Sequence, residues 1–352
     1  MAMWYLPEAR LSTFLNRGSF DERLVAWPVG EQLEFRRLID GDESSARAGV
    51  SQPDFRLPRG PSSAKPFCFP PRELVARYTT RPDEGEPTPL RRMIAGVRSC
   101  ELRALGFLDR VFGGPPVEDP IYRAHRGHTL IVSVDCAIPH ETCFCNMVQG
   151  HPYADASFDV NLTPIPGGYI VEAGSEAGQE YVKEAQGLVS PAEEAQLRDR
   201  DETRAGAARQ LEKQNADRAP SRPPADVLGG TENDVRWQEL STGCVECGAC
   251  TQICPTCHCF FLRDRATRRD AYERLRAWDS CMWSGYSRMA GAERMKPNPR
   301  PQFRTRFANR YLHKFVWAPQ QWDTLGCVGC GRCAEACPGK IDIRSVLQEA
   351  VA

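Results

Sequence analysis

Apolar residues in the first half of the chain come in short blocks. MIAGV from Met93, TLIVSV from Thr129 and YIVEAG from Tyr169 are each separated from their neighbours by Pro- and Gly-containing turns. Runs of that length, rich in β-branched residues, predict buried strands. Between the first two, CELRALGFLDRVF from Cys100 spaces its apolar residues at helical intervals and predicts a helix ending near Phe112. Residues 1 to 66 show only short amphipathic stretches, followed by a Gly/Pro/Ser/Asp-rich segment from Gly41 to Lys65 that reads as connecting loop. Residues 175 to 230 favour helix but offer a thin apolar face, and they end in the linker-like RAPSRPPADVLGG. Farther on, FLRDRATRRDAYERLRAW from Phe261 predicts another helix. The expected organisation is α+β: a mixed α/β domain over 1–174, a helical connector and linker over 175–235, and an α-helical ferredoxin-like domain over 236–352.

Composition narrows the chemistry. Among 352 residues there are 16 cysteines, and the formal net charge is -1. The chain as a whole therefore carries no excess of positive charge to attract nucleic acid or anionic lipid. The opening MAMWYLPEARLSTFLNRG is a poor signal peptide, since it lacks a basic start and an unbroken apolar run. No apolar run reaches the length of a membrane span. The expectation is a cytoplasmic protein, in a compartment where clustered thiols bind metal more often than they pair.

The cysteines then supply a motif, present twice. Cys244, Cys247, Cys250 and Cys254 precede Pro255, and Cys327, Cys330, Cys333 and Cys337 precede Pro338. Both are complete C-x2-C-x2-C-x3-C-P runs. Three thiolates on a tight loop can wrap three corners of a cubane, with Gly248 and Gly331 letting the backbone bend closely, while the fourth cysteine reaches the other cluster. The expected ligand sets for two [4Fe-4S] clusters are thus Cys244, Cys247, Cys250 and Cys337 for one, and Cys327, Cys330, Cys333 and Cys254 for the other. Paired zinc sites would leave a cysteine over in each trio and would not explain the prolines. Cys254-P-T-Cys257-His258 matches a c-type haem attachment signature, but Cys254 is already used by the ferredoxin run.

Between Phe261 and Lys314 stand 14 Lys and Arg against 5 Asp and Glu. Compensation of cluster charge or a docking face for an acidic partner accounts for this better than nucleic acid. Of the remaining cysteines, Cys68, Cys100 and Cys136 read as small core hydrophobes. Cys143, Cys145, Cys257, Cys259 and Cys281 are candidates for a third iron-sulfur site, against packing around the first two clusters or tuning of their sulfurs.

KPFCFPPRE (65–73), GVRSCELRAL (96–105), the region from TLIVSVDC to ETCFC (129–145), EAGSEAG (172–178), CPTCHCF (254–260), WDSCMW (278–283), HKF (313–315) and GCVGCGRCAEACP (326–338) resemble, in order, the iron-sulfur β subunit of cytoplasmic sulfhydrogenases, which are NiFe hydrogenases linked to NADP. They resemble equally the iron-sulfur A component of anaerobic sulfite reductase. Two departures are Cys257-His-Cys259, where the family often has CFC, and NMVQGHPY after Cys145, where a Gly-rich stretch is usual. The resemblance implies an electron-transfer subunit with no catalytic residues of its own. Its partners would be a flavoprotein binding FAD and NAD(P), and a catalytic subunit carrying NiFe or sirohaem. An independent iron-sulfur thiol or disulfide reductase is the alternative.

Overall fold

The short apolar runs become neighbouring strands of one sheet. The structure, a computed structural model, describes residues 2–38, 53–79, 89–115, 118–268, 271–289 and 298–351. Its strands, in chain order, are β1 (Met3–Pro7), β2 (Glu22–Val29), β3 (Gln32–Leu38), β4 (Arg72–Thr79), β5 (Arg92–Val97), β6 (Thr129–Val134), β7 (Val160–Ile165), β8 (Gly168–Ala173), β9 (Ser190–Pro191), β10 (Phe260–Arg268) and β11 (Ala271–Trp278). Eight of them form a sheet in the order β3-β2-β5-β6-β7-β8-β1-β9, in which β2, β5, β6 and β7 run parallel.

The centre of this sheet is buried on both sides, which is why β5 and β6 read as unbroken apolar runs. Met93, Ala95, Val132 and Val134 face one core, together with Phe14, Tyr169 and Val171. Ile94, Val97 and Ile131 face the other. There they meet Leu102, Leu105, Leu108 and Phe112 of the helix Ser99–Phe112, which forms where its apolar spacing predicts. Residues 1 to 38, which read in sequence as amphipathic fragments, supply β1, β2 and β3 to this sheet. The loop predicted from Gly41 falls outside the described residues as far as Gln52. Its later part is irregular, as expected, but deeply buried at Phe55, Arg59 and Ala64.

The helix Glu194–Asn215 has few buried residues, in keeping with its thin apolar face. It is fastened to the sheet by charge instead. Arg204 Nε donates to Asp135 at 2.7 Å, and its Nη2 donates to Glu172 of β8 at 2.7 Å. Asp135, fully buried, also accepts from Thr163 Oγ1 and from the Ala154 amide. A buried carboxylate with that many donors locks the end of β6 in place.

The stretch from Phe261 to Trp278 is a hairpin, not the predicted helix. β10 and β11 pair antiparallel, and β11 pairs in turn with β4. Charges stand directly opposite in this register: Arg274 donates to Asp264 at 2.8 Å and Arg265 to Glu273 at 2.8 Å. Cross-strand ion pairs and a buried root outweigh the helical propensity of an Arg-rich segment. At that root Trp278 stacks on Phe69, with ring centroids 5.9 Å apart. Arg276 is clamped by Glu73 at 2.5 Å and by Asp119. The hairpin thereby shares a sheet with β4, whose residues come from the first part of the chain.

Around the cysteine motifs the structure is helical. Phe303–Leu312 continues as a π-helical turn at His313–Trp317 and then as Ala318–Trp322. With Ile343–Val351 it encloses a core of Trp237, Phe307, Tyr311, Phe315, Ile343 and Leu347. The π turn carries Lys314 into the interior, where it is only 3% exposed.

Candidate metal centres

The two motif loops share one backbone design. Gly248 and Gly331 both lie in the left-handed region, at φ +74° and +72°, and each caps a single helical turn, Ala249–Gln252 and Arg332–Glu335. Two residues earlier, Glu246 and Gly329 also have positive φ, at +55° and +67°. This curls each trio of cysteines around one side of a small space.

Cys244, Cys247 and Cys250 line the first cavity. Cys333 and Cys337 of the second motif line it as well. The remaining wall is largely apolar, with Met282, Phe307, Tyr311, Ile341 and Ile343. One buried cation, Arg310, also lines it, and its Nε and Nη2 have no hydrogen-bond partner within the protein. Burial opposes that charge, yet the Cys250 and Cys333 sulfurs hold the guanidinium well above its ordinary range. Orphaned donors on a buried cation signify an acceptor that the side chains themselves do not provide. The sulfides of an anionic cluster fit that need.

Cys254 is the fourth cysteine expected for the second group. Burial pushes the Cys327 thiol up to about 12 and Cys333 up to about 11, and both sulfurs sense Cys254. Cys254 itself is held well below the ordinary thiol range, first by a hydrogen bond from Cys257 and then, beyond the opposing effect of burial, by Lys314. Lys314 Nζ donates to Cys254 Sγ at 3.3 Å, to Thr256 Oγ1 at 3.0 Å and to the Gly326 carbonyl at 2.8 Å. Among the described residues, no three His, Cys, Asp or Glu side chains approach one point closely enough for a single metal ion.

The five candidates for a third site divide between two places. Cys257, Cys259 and Cys281 gather beside Cys254. A hydrogen bond from Cys281 outweighs burial and brings Cys259 down to about 6, helped by Tyr286. Lys65 Nζ donates to the carbonyls of Cys257 and Gln252, both at 3.2 Å, and sits 3.6 Å from the centre of the Trp278 ring. Burial lowers the intervening His258 to about 4, so its ring is neutral at neutral pH.

Cys143 and Cys145 instead line a cavity with Cys100 and Cys136, bordered by Arg59, His140, Gly329 and Cys330. Cys100 packs in a small core with Ala104, Val328 and Cys330, as its isolation in the sequence suggests, and both it and Cys136 also line this cavity. The available signal is their position, each just past the end of a predicted strand. Cys68 is fully buried and stays among core residues, with its thiol raised to about 11 by burial. Arg310 and Lys314 show in the sequence only as part of a basic excess. The structure divides that excess into surface ion pairs on the hairpin and buried cations beside the cysteines.

Both cysteine motifs fall within a domain known from other proteins. The sequence model of the 4Fe-4S dicluster domain family matches residues 243–341. The chain is also 35% identical over 260 residues to the sulfhydrogenase 2 subunit beta of Pyrococcus furiosus, an alignment covering 73% of each chain. No helix among the described residues is long and apolar enough to cross a membrane.

Proposed function

The chain belongs to the family of sulfhydrogenase beta subunits, and we propose that it relays single electrons between a flavoprotein subunit, which binds FAD and NAD(P), and the catalytic subunit of a cytoplasmic NiFe hydrogenase. It is an iron-sulfur electron-transfer subunit. In the proposed arrangement Cys244, Cys247, Cys250 and Cys337 hold one [4Fe-4S] cluster, and Cys327, Cys330, Cys333 and Cys254 hold the other.

The observation that supports this reading is the place of Cys337, which lines the cavity made by the first trio. In the proposal Cys254 serves the second trio in the same way, with Lys314 Nζ donating to its sulfur at 3.3 Å. Crossed ligation of this kind brings two clusters close together, as a relay requires. Each bound cluster supplies a one-electron couple, tuned by burial and by hydrogen bonds to sulfur within a range of about -700 to +450 mV.

The protein's own residues set that tuning. Lys314 donates an N–H to the sulfur of Cys254 and places a positive charge beside it. Arg310 lines the first cavity with two unpartnered N–H groups. Met282, Phe307 and Tyr311 keep water from that cavity's wall, so the cations act through a low dielectric. No side chain in this arrangement needs to act as acid, base or nucleophile.

The test is anaerobic purification of the native complex, with iron, sulfide, nickel, sirohaem and flavin quantified and every co-purifying subunit identified by mass. Nickel together with a flavoprotein is the expected result. Sirohaem in place of nickel would assign the chain to a sulfite-reducing complex. A lone chain that reduces a thiol or disulfide substrate would overturn the relay.

A further inference from the structure

We propose that Cys100, Cys136, Cys143 and Cys145 hold a third iron-sulfur cluster, at the C-terminal edge of the parallel strands. The site goes beyond the two-cluster reading, since all four residues lie outside the matched stretch 243–341.

The fold explains why these cysteines meet. Cys100 begins the helix that follows β5, and Cys136 comes two residues after β6 ends. β5 and β6 are adjacent and parallel, so both residues emerge on the same edge. Open α/β sheets bind ligands along that edge. Cys143 and Cys145 approach from the following loop. There Asn215 Nδ2 and Gln214 Nε2 donate to the Cys143 carbonyl at 3.0 and 2.7 Å, fixing the loop against the long helix. All four residues line one cavity.

Arg59 supplies an independent observation. It lines the same cavity, is 3% exposed, and its Nε is buried without a partner. Its other nitrogens are occupied by Glu335, Thr142 and the Gly60 carbonyl. A buried guanidinium with a spare donor beside four cysteines fits a group that is anionic and rich in acceptors. An ordinary apolar core would not call for it.

The site also adjoins the second motif. Cys330 lines the cavity from the other side, Cys143 Sγ lies 3.7 Å from the Cys330 carbonyl, and the Phe144 amide donates to the Gly329 carbonyl at 2.7 Å. An electron leaving the third cluster would enter the second, with no bond made and no proton moved. Cys257, Cys259 and Cys281 make a weaker candidate, because the fourth thiol beside them is Cys254, already taken by the second set.

The test counts iron and acid-labile sulfide in the anaerobically purified full chain, alongside Mössbauer spectra and zinc analysis. A third [4Fe-4S] cluster gives about 12 irons, a [2Fe-2S] cluster about 10, and the two motif clusters alone about 8. The double variant C136S/C143S is expected to fall to about 8 irons while keeping the signals of both motif clusters, and C68A is expected to keep the wild-type count. A wild-type count near 8, or one zinc in place of the extra iron, overturns the proposal and leaves the two-cluster reading standing. A higher wild-type count that the double variant retains overturns the ligand assignment. Should the variant fail to fold, the wild-type count and spectra decide.

Discussion

Replacing Lys314 by Met tests whether a buried cation sets the potential of the second proposed cluster. The ammonium lies 3.3 Å from Cys254 Sγ and is the donor of that contact. Reduction adds one negative charge, which Lys314 stabilises, so its removal must shift the potential downward. Two unit charges about 4 Å apart interact by about 4 kcal/mol at an effective dielectric of about 20. An electron spread over a cluster sits farther away than the nearest sulfur, so about 2 kcal/mol is the better figure, or about 90 mV for one electron. Loss of the N–H···S bond acts in the same direction. Met follows the Lys stem as far as Cε and lacks only the ammonium, and Thr256 Oγ1 still donates to the Gly326 carbonyl at 2.6 Å, so no buried acceptor is stranded there. The assay is a redox titration of the full chain followed by electron paramagnetic resonance, with the first cluster's signal as internal reference. A second-cluster potential within about 20 mV of wild type, at unchanged iron content, would refute this electrostatic role.

Three further predictions probe the frame around the cysteines. At Gly331, φ is +72° and an added Cβ would lie 2.1 Å from the Thr142 carbonyl oxygen, so Gly331→Ala should cost roughly 3 kcal/mol. Gly230→Ala, at φ +79° with no atom within 4 Å, should cost only about 1 kcal/mol, and thermal melts of the two variants compare them directly. Arg332→Met strands the buried Glu101 carboxylate, which its Nη2 meets at 3.1 Å, and should cost about 3–5 kcal/mol in urea unfolding, partly restored by adding Glu101→Gln. Burial pushes the Glu22 carboxyl up, but bonds from Arg92 and Arg37 outweigh it and hold the pKa below 4.5. Its stabilisation is therefore full above that ordinary value and lost as pH falls through the depressed one, so Glu22→Gln should flatten the acid side of melting temperature against pH.

The parts legible in the sequence are those whose signal is local. MIAGV and TLIVSV are legible as strands because both faces of the sheet are apolar there, YIVEAG because one of its faces is, and the helix from Ser99 follows from its spacing. The family, the dicluster motif and the electron-transfer role are legible as well, since the cysteine spacing is itself the loop geometry. The hairpin at 260–278 is not. Its composition favours helix, and the decisive partners are β4 and Phe69, nearly two hundred residues earlier. Nor can spacing show that Cys143 and Cys145 meet Cys100 and Cys136 rather than Cys257, because that depends on the order of parallel strands.

The same long-range contacts explain why a domain holding ferredoxin motifs is built onto a large α/β body. Gly329 and Gly331 let the second cysteine loop lie against the backbone of residues 142 to 145 so closely that a Cβ at either would collide with it. Arg332, within the motif, donates to the carbonyls of Gly60 and Ser62 and to Glu101 at the start of the helix after β5. Arg59 reaches the other way, to Glu335 at 2.7 Å. Two buried arginines thus cross the contact in opposite directions, and each has a carboxylate partner. Breaking either pair strands a charge away from water, at a cost far above that of a surface ion pair. The loop bearing Cys327, Cys330 and Cys333 is consequently fixed to the parallel-sheet edge rather than tethered near it. Function benefits because the separation of redox centres cannot be left to a flexible hinge, and here the body holding Cys100 and Cys136 is the one that positions the motif.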